Sequence, residues 1–218
     1  MKIAIILSAF FSLFTIASCK SNSAKANDKP IEEVLSPASE LMANQDSTAT
    51  LYFAGGCFWG TEHFFKQIYG VIKTEVGYAN GHTDNPTYEE VSWKNTGYAE
   101  TVKVIYDKQK LDLNLLLDLY FLTIDPTSLN KQGNDIGDQY RTGIYYTSKD
   151  QVAVIEQRLA AEARKYPKPL VVELGPIKRF YKAEQYHQDY LDKHPNGYCH
   201  INPALFEFAK KANKPAKN

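Results

Sequence analysis

The sequence has little cysteine: three residues in 218, at Cys19, Cys57 and Cys199, with no Cys-x-x-Cys pair and five scattered histidines. That pattern supplies no zinc ligand set, so no metal or other cofactor is expected. It also lacks a charge bias. Lys+Arg and Asp+Glu are equal at 25 each, and no basic cluster interleaves with stacking aromatics, which argues against a nucleic-acid partner. Repeats and low-complexity tracts are absent from about Thr48 onward. Apolar material, by contrast, is plentiful. At 44% hydrophobic and 13% aromatic residues, the chain can bury one sizeable core and is too rich for disorder.

The first residues read as an address. Lys2 precedes an apolar run, Ile3 to Ile16, too short for a comfortable membrane span and followed by the small residues Ala17 and Ser18. Ile16-Ala17-Ser18-Cys19 resembles the lipobox of bacterial lipoproteins, in which the cysteine becomes the acylated first residue of the mature chain. The expected organisation is a signal peptide over 1–18, lipidated Cys19 and a polar tether over 19–47, a folded domain over 48–210 and a polar tail over 211–218. Acyl chains on Cys19 would hold the domain at a membrane surface facing the periplasm or the cell exterior. In such a compartment Cys57 and Cys199 are candidates to pair, and a permanent structural disulfide is one reading of them.

Within the domain, strands and helices alternate. Leu51–Ala54 reads as a short buried strand, Phe58–Tyr69 as a helix, and Val71–Tyr78 as a strand after the stop at Gly70. A polar loop covers 80–87. Thr101–Tyr106 is expected as a strand and Leu111–Thr123 as a strongly apolar helix. A long loop of Pro, Gly, Asn and Asp over 125–139 suggests function. Arg141–Thr147 reads as a strand, and a capping-box pattern at Ser148 and Gln151 opens a helix to about Tyr166. Leu170–Leu174 is the last clear strand, Ala183–His194 a last helix, and Cys199 follows the Pro195-Asn196-Gly197 turn. This order predicts an α+β sandwich with one mixed sheet covered by helices.

The chemistry is expected at Gly55-Gly56-Cys57-Phe58-Trp59-Gly60. Cys57 lies between an apolar strand and an amphipathic helix, where unpaired N–H groups and the helix dipole favour a thiolate. Gly56-Cys57-Phe58-Trp59-Gly60, Gly77-Tyr78, Asn85-Pro86-Thr87-Tyr88, Gly97-Tyr98-Ala99-Glu100 and Gln132-Gly133-Asn134-Asp135 with Gln139-Tyr140-Arg141 together resemble the A-type peptide-methionine sulfoxide reductases, from about Leu51 to His200.

The resemblance implies a ferredoxin-like α/β plait core with a long C-terminal coil, and a reaction. The thiolate at Cys57 attacks the sulfur of methionine-(S)-sulfoxide, free or protein-bound, and Glu100 hands a proton to the departing oxygen. For this Glu100 must be protonated near neutral pH, which needs a desolvated site. Phe58 and Trp59 would wall the substrate methyl, Tyr88 and Tyr140 would bond the sulfoxide oxygen, and Asp135 would orient its neighbours. Without the resemblance, Glu100 reads as a solvated carboxylate, and Tyr88 and Tyr140 as ordinary core-edge aromatics. His187 could suggest a Cys/His nucleophile pair, but it reads as a packed or capping helical residue and is assigned no catalytic role.

Cys57 sulfenic acid would condense with Cys199, 199 − 57 = 142 residues downstream in a tail suited to swing inward. A thioredoxin-like dithiol would then reopen the disulfide. Ser92 stands where some family members carry a further cysteine, which leaves a two-cysteine relay. The implied role is repair of oxidised envelope proteins. Alternatives are a thiol peroxidase and a non-catalytic lipoprotein binding module. The apolar walls weigh against the first, since peroxide has no methyl to seat.

Overall fold

The structure, a computed structural model, describes residues 47–215. The signal peptide, Cys19, nearly all of the tether and the last three residues of the tail lie outside the described residues.

Strand β1, Thr48–Gly55, alternates its side chains between two apolar layers, as the period of two in a strand requires. Leu51 and Phe53 enter the main core, whereas Tyr52 and Ala54 join a smaller cluster with Ala79, Ala99 and Tyr145 on the other side. Helix α1, Phe58–Lys66, follows, then β2, Val71–Ala79. Next come α2, Tyr88–Trp93, β3, Ala99–Asp107, and α3, Leu113–Phe121. A two-stranded hairpin of β4, Lys131–Gln132, and β5, Asp135–Ile136, precedes β6, Thr142–Tyr146, and α4, Asp150–Ala163. The chain continues through β7, Glu173–Pro176, β8, Phe180–Lys182, α5, Tyr190–Lys193, and α6, Ala204–Ala209.

The main sheet runs β7-β6-β1-β3-β2-β8, antiparallel except for the parallel β6/β7 pair. Its central four strands, with α1 after β1 and α3 after β3, form the strand–helix–strand–strand–helix–strand plait that the resemblance implied. Both crossover helices contribute to the same core: Phe64 and Phe65 from α1, and Leu116, Leu117 and Tyr120 from α3, are fully buried. The Tyr120 hydroxyl also donates to the Ala54 carbonyl at 2.7 Å, fixing the end of β1 just ahead of Cys57.

Four local expectations change. The strand expected over Leu170–Leu174 forms instead at Glu173–Pro176, because Val171 N donates to Pro126 O at 2.8 Å rather than to β6, and a further strand, β8, follows it. The helix expected over Ala183–His194 shrinks to Tyr190–Lys193, because Asp189 adopts a left-handed φ of 55° and the Gln188 side chain is committed to β2 through Val76 N, at 3.0 Å, and Val76 O, at 2.9 Å. The capping box lies at α2: Thr87 Oγ1 accepts from Glu90 N at 3.3 Å and Glu90 Oε2 from Thr87 N at 3.1 Å. At α4 only half the motif forms, since Gln151 Oε1 accepts from Ser148 N at 3.2 Å while the Ser148 hydroxyl turns to Asp150. The expected C-terminal coil ends in α6, and Asn213 Nδ2 donates to Tyr69 O at 2.7 Å and Lys110 O at 3.0 Å, packing the start of the tail onto the domain.

Candidate active site

Gly56 turns the chain from β1 into α1 with a φ of +80°, a conformation that L side chains rarely adopt. Cys57 is therefore the N-cap of α1, 7% exposed, with the Trp59 amide the backbone group that favours its thiolate. Thr61 Oγ1 ties the turn down by donating toward Gly55 O at 3.2 Å and Cys57 O at 3.3 Å.

Glu100 comes from the second residue of β3 and is 2% exposed. Its Oε2 accepts from the Phe58 amide at 3.0 Å, which places the carboxyl at the helix end next to Cys57. Burial pushes its pKa from 4.5 up to about 8, against the Phe58 hydrogen bond, which favours the charged form, and with help from the nearby Asp135 charge. Glu100 is thus predominantly a carboxylic acid at neutral pH.

Here the helix-end argument for Cys57 is overturned. Its pKa lies well above the ordinary thiol range because burial and then the Glu100 charge outweigh the Trp59 amide, with Asp135 and Cys199 adding to the rise. The dipole of a nine-residue helix is a fractional charge, and it does not offset the desolvation of a buried thiolate. Because the carboxylate of Glu100 itself opposes the thiolate, the pair is coupled: protonating Glu100 eases ionisation of Cys57.

The phenols converge on the same point. Burial raises the pKa of Tyr140, followed by the charges of Glu100, Tyr88, Cys57 and Asp135. Tyr88 is raised by burial and then by Glu100, and the hydroxyls of Ser92 and Tyr140 pull the other way. Both therefore remain neutral donors around the buried carboxyl. Tyr88 is positioned at the N-terminus of the capped helix α2, and its amide donates to Glu184 Oε1 at 2.9 Å.

Asp135 arrives on the β4/β5 hairpin, which Gln132 braces through a two-way amide contact with Asp125, at 2.8 and 2.9 Å. Its Oδ2 accepts from the Tyr198 hydroxyl at 3.1 Å. Burial raises its pKa, whereas Tyr198, His200 and the Cys57 amide lower it. These contacts fit the orienting role expected of it.

The two aromatics after Cys57 have different surroundings. Phe58 is 1% exposed, packed against Tyr78 and His187 with centroids at 6.0 and 5.1 Å. Trp59 remains partly exposed, stacks on Tyr190 at 3.7 Å and donates its indole N–H to His187 Nδ1 at 3.0 Å. Burial holds His187 below the ordinary imidazole range, which keeps Nδ1 an acceptor. His187 is a packing residue, as the sequence suggested, yet it also fixes the indole. Glu184 escaped the sequence reading: its carboxylate accepts from the Tyr78 hydroxyl at 2.7 Å as well as from Tyr88 N, bracing both aromatics. The only available signal was an unexplained acidic residue two positions before Tyr186.

Cys57 and Cys199 are both free thiols. Cys199 is half-buried, accepts from the Ile201 amide at 3.4 Å, and lies against α1 at Gly60. The structure therefore shows the expected swinging segment already docked.

Residues 49–218 match the family model described as "Peptide methionine sulfoxide reductase". A Lachnoclostridium phytofermentans protein named peptide methionine sulfoxide reductase MsrA is 56% identical over 163 residues, spanning 75% of this chain and 98% of that protein. A Clostridium acetobutylicum protein of the same name is 53% identical, spanning 72% and 97%. Among solved structures, Mxr1 from Saccharomyces cerevisiae in reduced form aligns with a TM-score of 0.69 at 35% identity, over 72% of this chain and 92% of the other. Methionine sulfoxide reductase A of Corynebacterium diphtheriae aligns with a TM-score of 0.64, also at 35% identity, over 70% and 78%.

Proposed function

The chain belongs to the peptide methionine sulfoxide reductase family, and on that premise we propose that Cys57, Glu100 and Cys199 carry its chemistry. The enzyme reduces methionine sulfoxide to methionine, which sets aside the peroxidase and binding-module alternatives. The observation that carries the proposed mechanism is Glu100: a carboxyl with 2% exposure, bonded to the amide after Cys57 and with a pKa near 8.

The sulfoxide oxygen is bound by Tyr88, Tyr140 and protonated Glu100, while Trp59, backed by buried Phe58, walls the methyl. Holding oxygen and methyl on different sides selects one epimer, the (S) form, in free or protein-bound methionine. As the oxygen takes Glu100's proton, the sulfur becomes electrophilic and Cys57 attacks it, its thiol proton passing to the Glu100 carboxylate just formed. The oxygen is transferred to Cys57 as a sulfenic acid, methionine leaves, and Glu100 is reprotonated. Cys199 then attacks Cys57, expelling water and forming a disulfide. A thioredoxin-like dithiol reduces that disulfide and restores both thiols.

Acylation of Cys19 would place this repair activity at the cell envelope. The lipobox-like sequence is its support, and persistence of a Cys19→Ser variant on membranes would overturn it. The test of the mechanism is a single-turnover assay on Cys199→Ser with separate (S) and (R) sulfoxide peptides. One methionine per enzyme from the (S) peptide, with sulfenic acid trapped on Cys57 and no recycling by thioredoxin, is expected. Wild-type multiple turnover of the variant would remove Cys199 from the pathway, and equal use of the (R) peptide would overturn the assigned pocket.

A further inference from the structure

The segment Tyr198–Ile201 meets the nucleophile loop at places where that loop has no side chain. A Cβ added at Gly60, in the second half of the first turn of α1, would lie 2.7 Å from Cys199 Sγ. One added at Gly56 would lie 3.0 Å from His200 Cε1 and Nε2, and one at Gly133 would lie 3.0 Å from His200 Cβ. The sulfur and the imidazole thus occupy neighbouring notches on either side of Cys57. Whereas Cys199 is half-buried, the His200 side chain is 3% exposed.

The imidazole is held by shape more than by hydrogen bonds. Neither buried ring nitrogen has a partner at ordinary hydrogen-bond geometry among the described residues: Nδ1 is 3.8 Å from Asp135 Oδ2, and the Gly55 carbonyl acts on the ring from the backbone. Such weak polar contacts do not offset the cost of burying the ring, so packing must seat it. What the ring provides is a fixed seat for its neighbour in sequence.

We propose that His200 is a positioning residue for the second half of the reaction: seated between Gly56 and Gly133, it holds Cys199 in the Gly60 notch beside Cys57. The proposal rests on the reading of Cys199 as the resolving cysteine. In the step concerned, the S–O bond of Cys57 sulfenic acid breaks as the Cys57–Cys199 bond forms. The Cys199 proton leaves with the hydroxide as water, the Cys57 sulfur is reduced and the Cys199 sulfur is oxidised. No other reactant enters, so the rate depends on how often the two sulfurs meet. Anchoring one beside the other converts a search by a tail into a local encounter, which raises its effective concentration.

Two substitutions perturb the seat independently. His200→Ala removes the ring. Gly60→Ala leaves the ring but puts a methyl where Cys199 Sγ lies, at a helical position where alanine is intrinsically preferred by about 1 kcal/mol. Each full-length variant is mixed with one equivalent of an (S)-sulfoxide peptide, quenched with a thiol alkylator at intervals, and its methionine release and Cys57–Cys199 disulfide are counted by mass. Disulfide formation is expected to slow at least tenfold in both variants, with sulfenic acid accumulating on Cys57 and methionine still released at one per enzyme. Gly60→Ala should unfold no earlier than wild type. Disulfide formation within twofold of wild type in either folded variant overturns the positioning role. If the wild-type enzyme forms no Cys57–Cys199 disulfide, the resolving role itself fails, a result distinct from either.

Discussion

The core beneath α1 and α3 and the site at the end of β1 share the same helix, yet they are built on opposite terms. Phe64, Phe65, Leu116 and Leu117 bury hydrocarbon against hydrocarbon, and the Tyr120 hydroxyl beside them reaches the Ala54 carbonyl. At the start of α1, the Cys57, Glu100 and His200 side chains are also nearly inaccessible, but each is a group that water would stabilise better. The first region supplies the rigidity that the second uses. Apolar burial at about 25 cal/mol per Å² offsets the desolvation of a few titratable groups, and those groups acquire shifted protonation states in return.

The comparison breaks most completely at Cys57. Cys57→Ser should abolish reduction, because a buried hydroxyl is neither ionised nor soft enough to attack sulfur, while thermal unfolding should change little. Methionine release near the wild-type rate would remove Cys57 as nucleophile.

Glu100→Gln should separate the two regions most clearly. The amide oxygen can still accept from Phe58 N, but no carboxylic proton remains, so kcat should fall by about 10²–10⁴. Stability should move the other way. The native pKa of about 8 lies above the ordinary 4.5, so the folded state retains a proton that the unfolded chain loses. Wild-type stability should therefore decline as pH rises from about 4.5 to about 8, at up to ~1.4 kcal/mol per pH unit, and level off above. The variant should lack that decline and unfold later than wild type at pH 8, with the advantage shrinking toward pH 5. Parallel pH profiles of the two proteins would refute the buried-acid account.

In the core, Leu116→Ala should cost about 2–5 kcal/mol of stability through the cavity it leaves, with the chemical step nearly unchanged below the melting temperature. A large loss of kcat in the folded variant would show that the two regions are not separable. The smallest effect is expected at Trp59→Phe, which keeps an aromatic wall but loses the indole N–H bond to His187. A rise in KM with kcat within a few-fold of wild type, and a stability loss of about 1 kcal/mol, is the expected pattern.

The same contrast explains what could be read from the chain. The alternation of strands and helices was legible because Leu51, Phe53, Phe64, Phe65 and Leu116 repeat at the periods of strand and helix, and apolar burial obeys those periods, whereas the plait itself came from the motif resemblance. Motif resemblance identified Cys57, Glu100, Tyr88, Tyr140 and Asp135, which the fold gathers around one buried carboxyl. The sign of the Cys57 shift was missed because it is not local: burial of the thiol by the assembled fold, and then the Glu100 charge from β3, outweigh the helix end. The broken helix at Asp189 was missed for a related reason. Gln188 bonds β2, 112 residues away in sequence, and that tertiary bond overrides the local helical pattern. Glu184 and His200 act only through neighbours that the fold supplies, so sequence spacing left no mark of their roles.

The central claim is that Glu100 is a protonated acid in the resting enzyme, and infrared difference spectroscopy tests it directly. Wild type minus Glu100→Gln, recorded from pH 4 to pH 10 on the reduced protein, should show a carboxylic acid carbonyl band that persists through neutrality and is lost with a midpoint near pH 8. A band that disappears near pH 4.5, leaving carboxylate throughout the neutral range, would contradict the account.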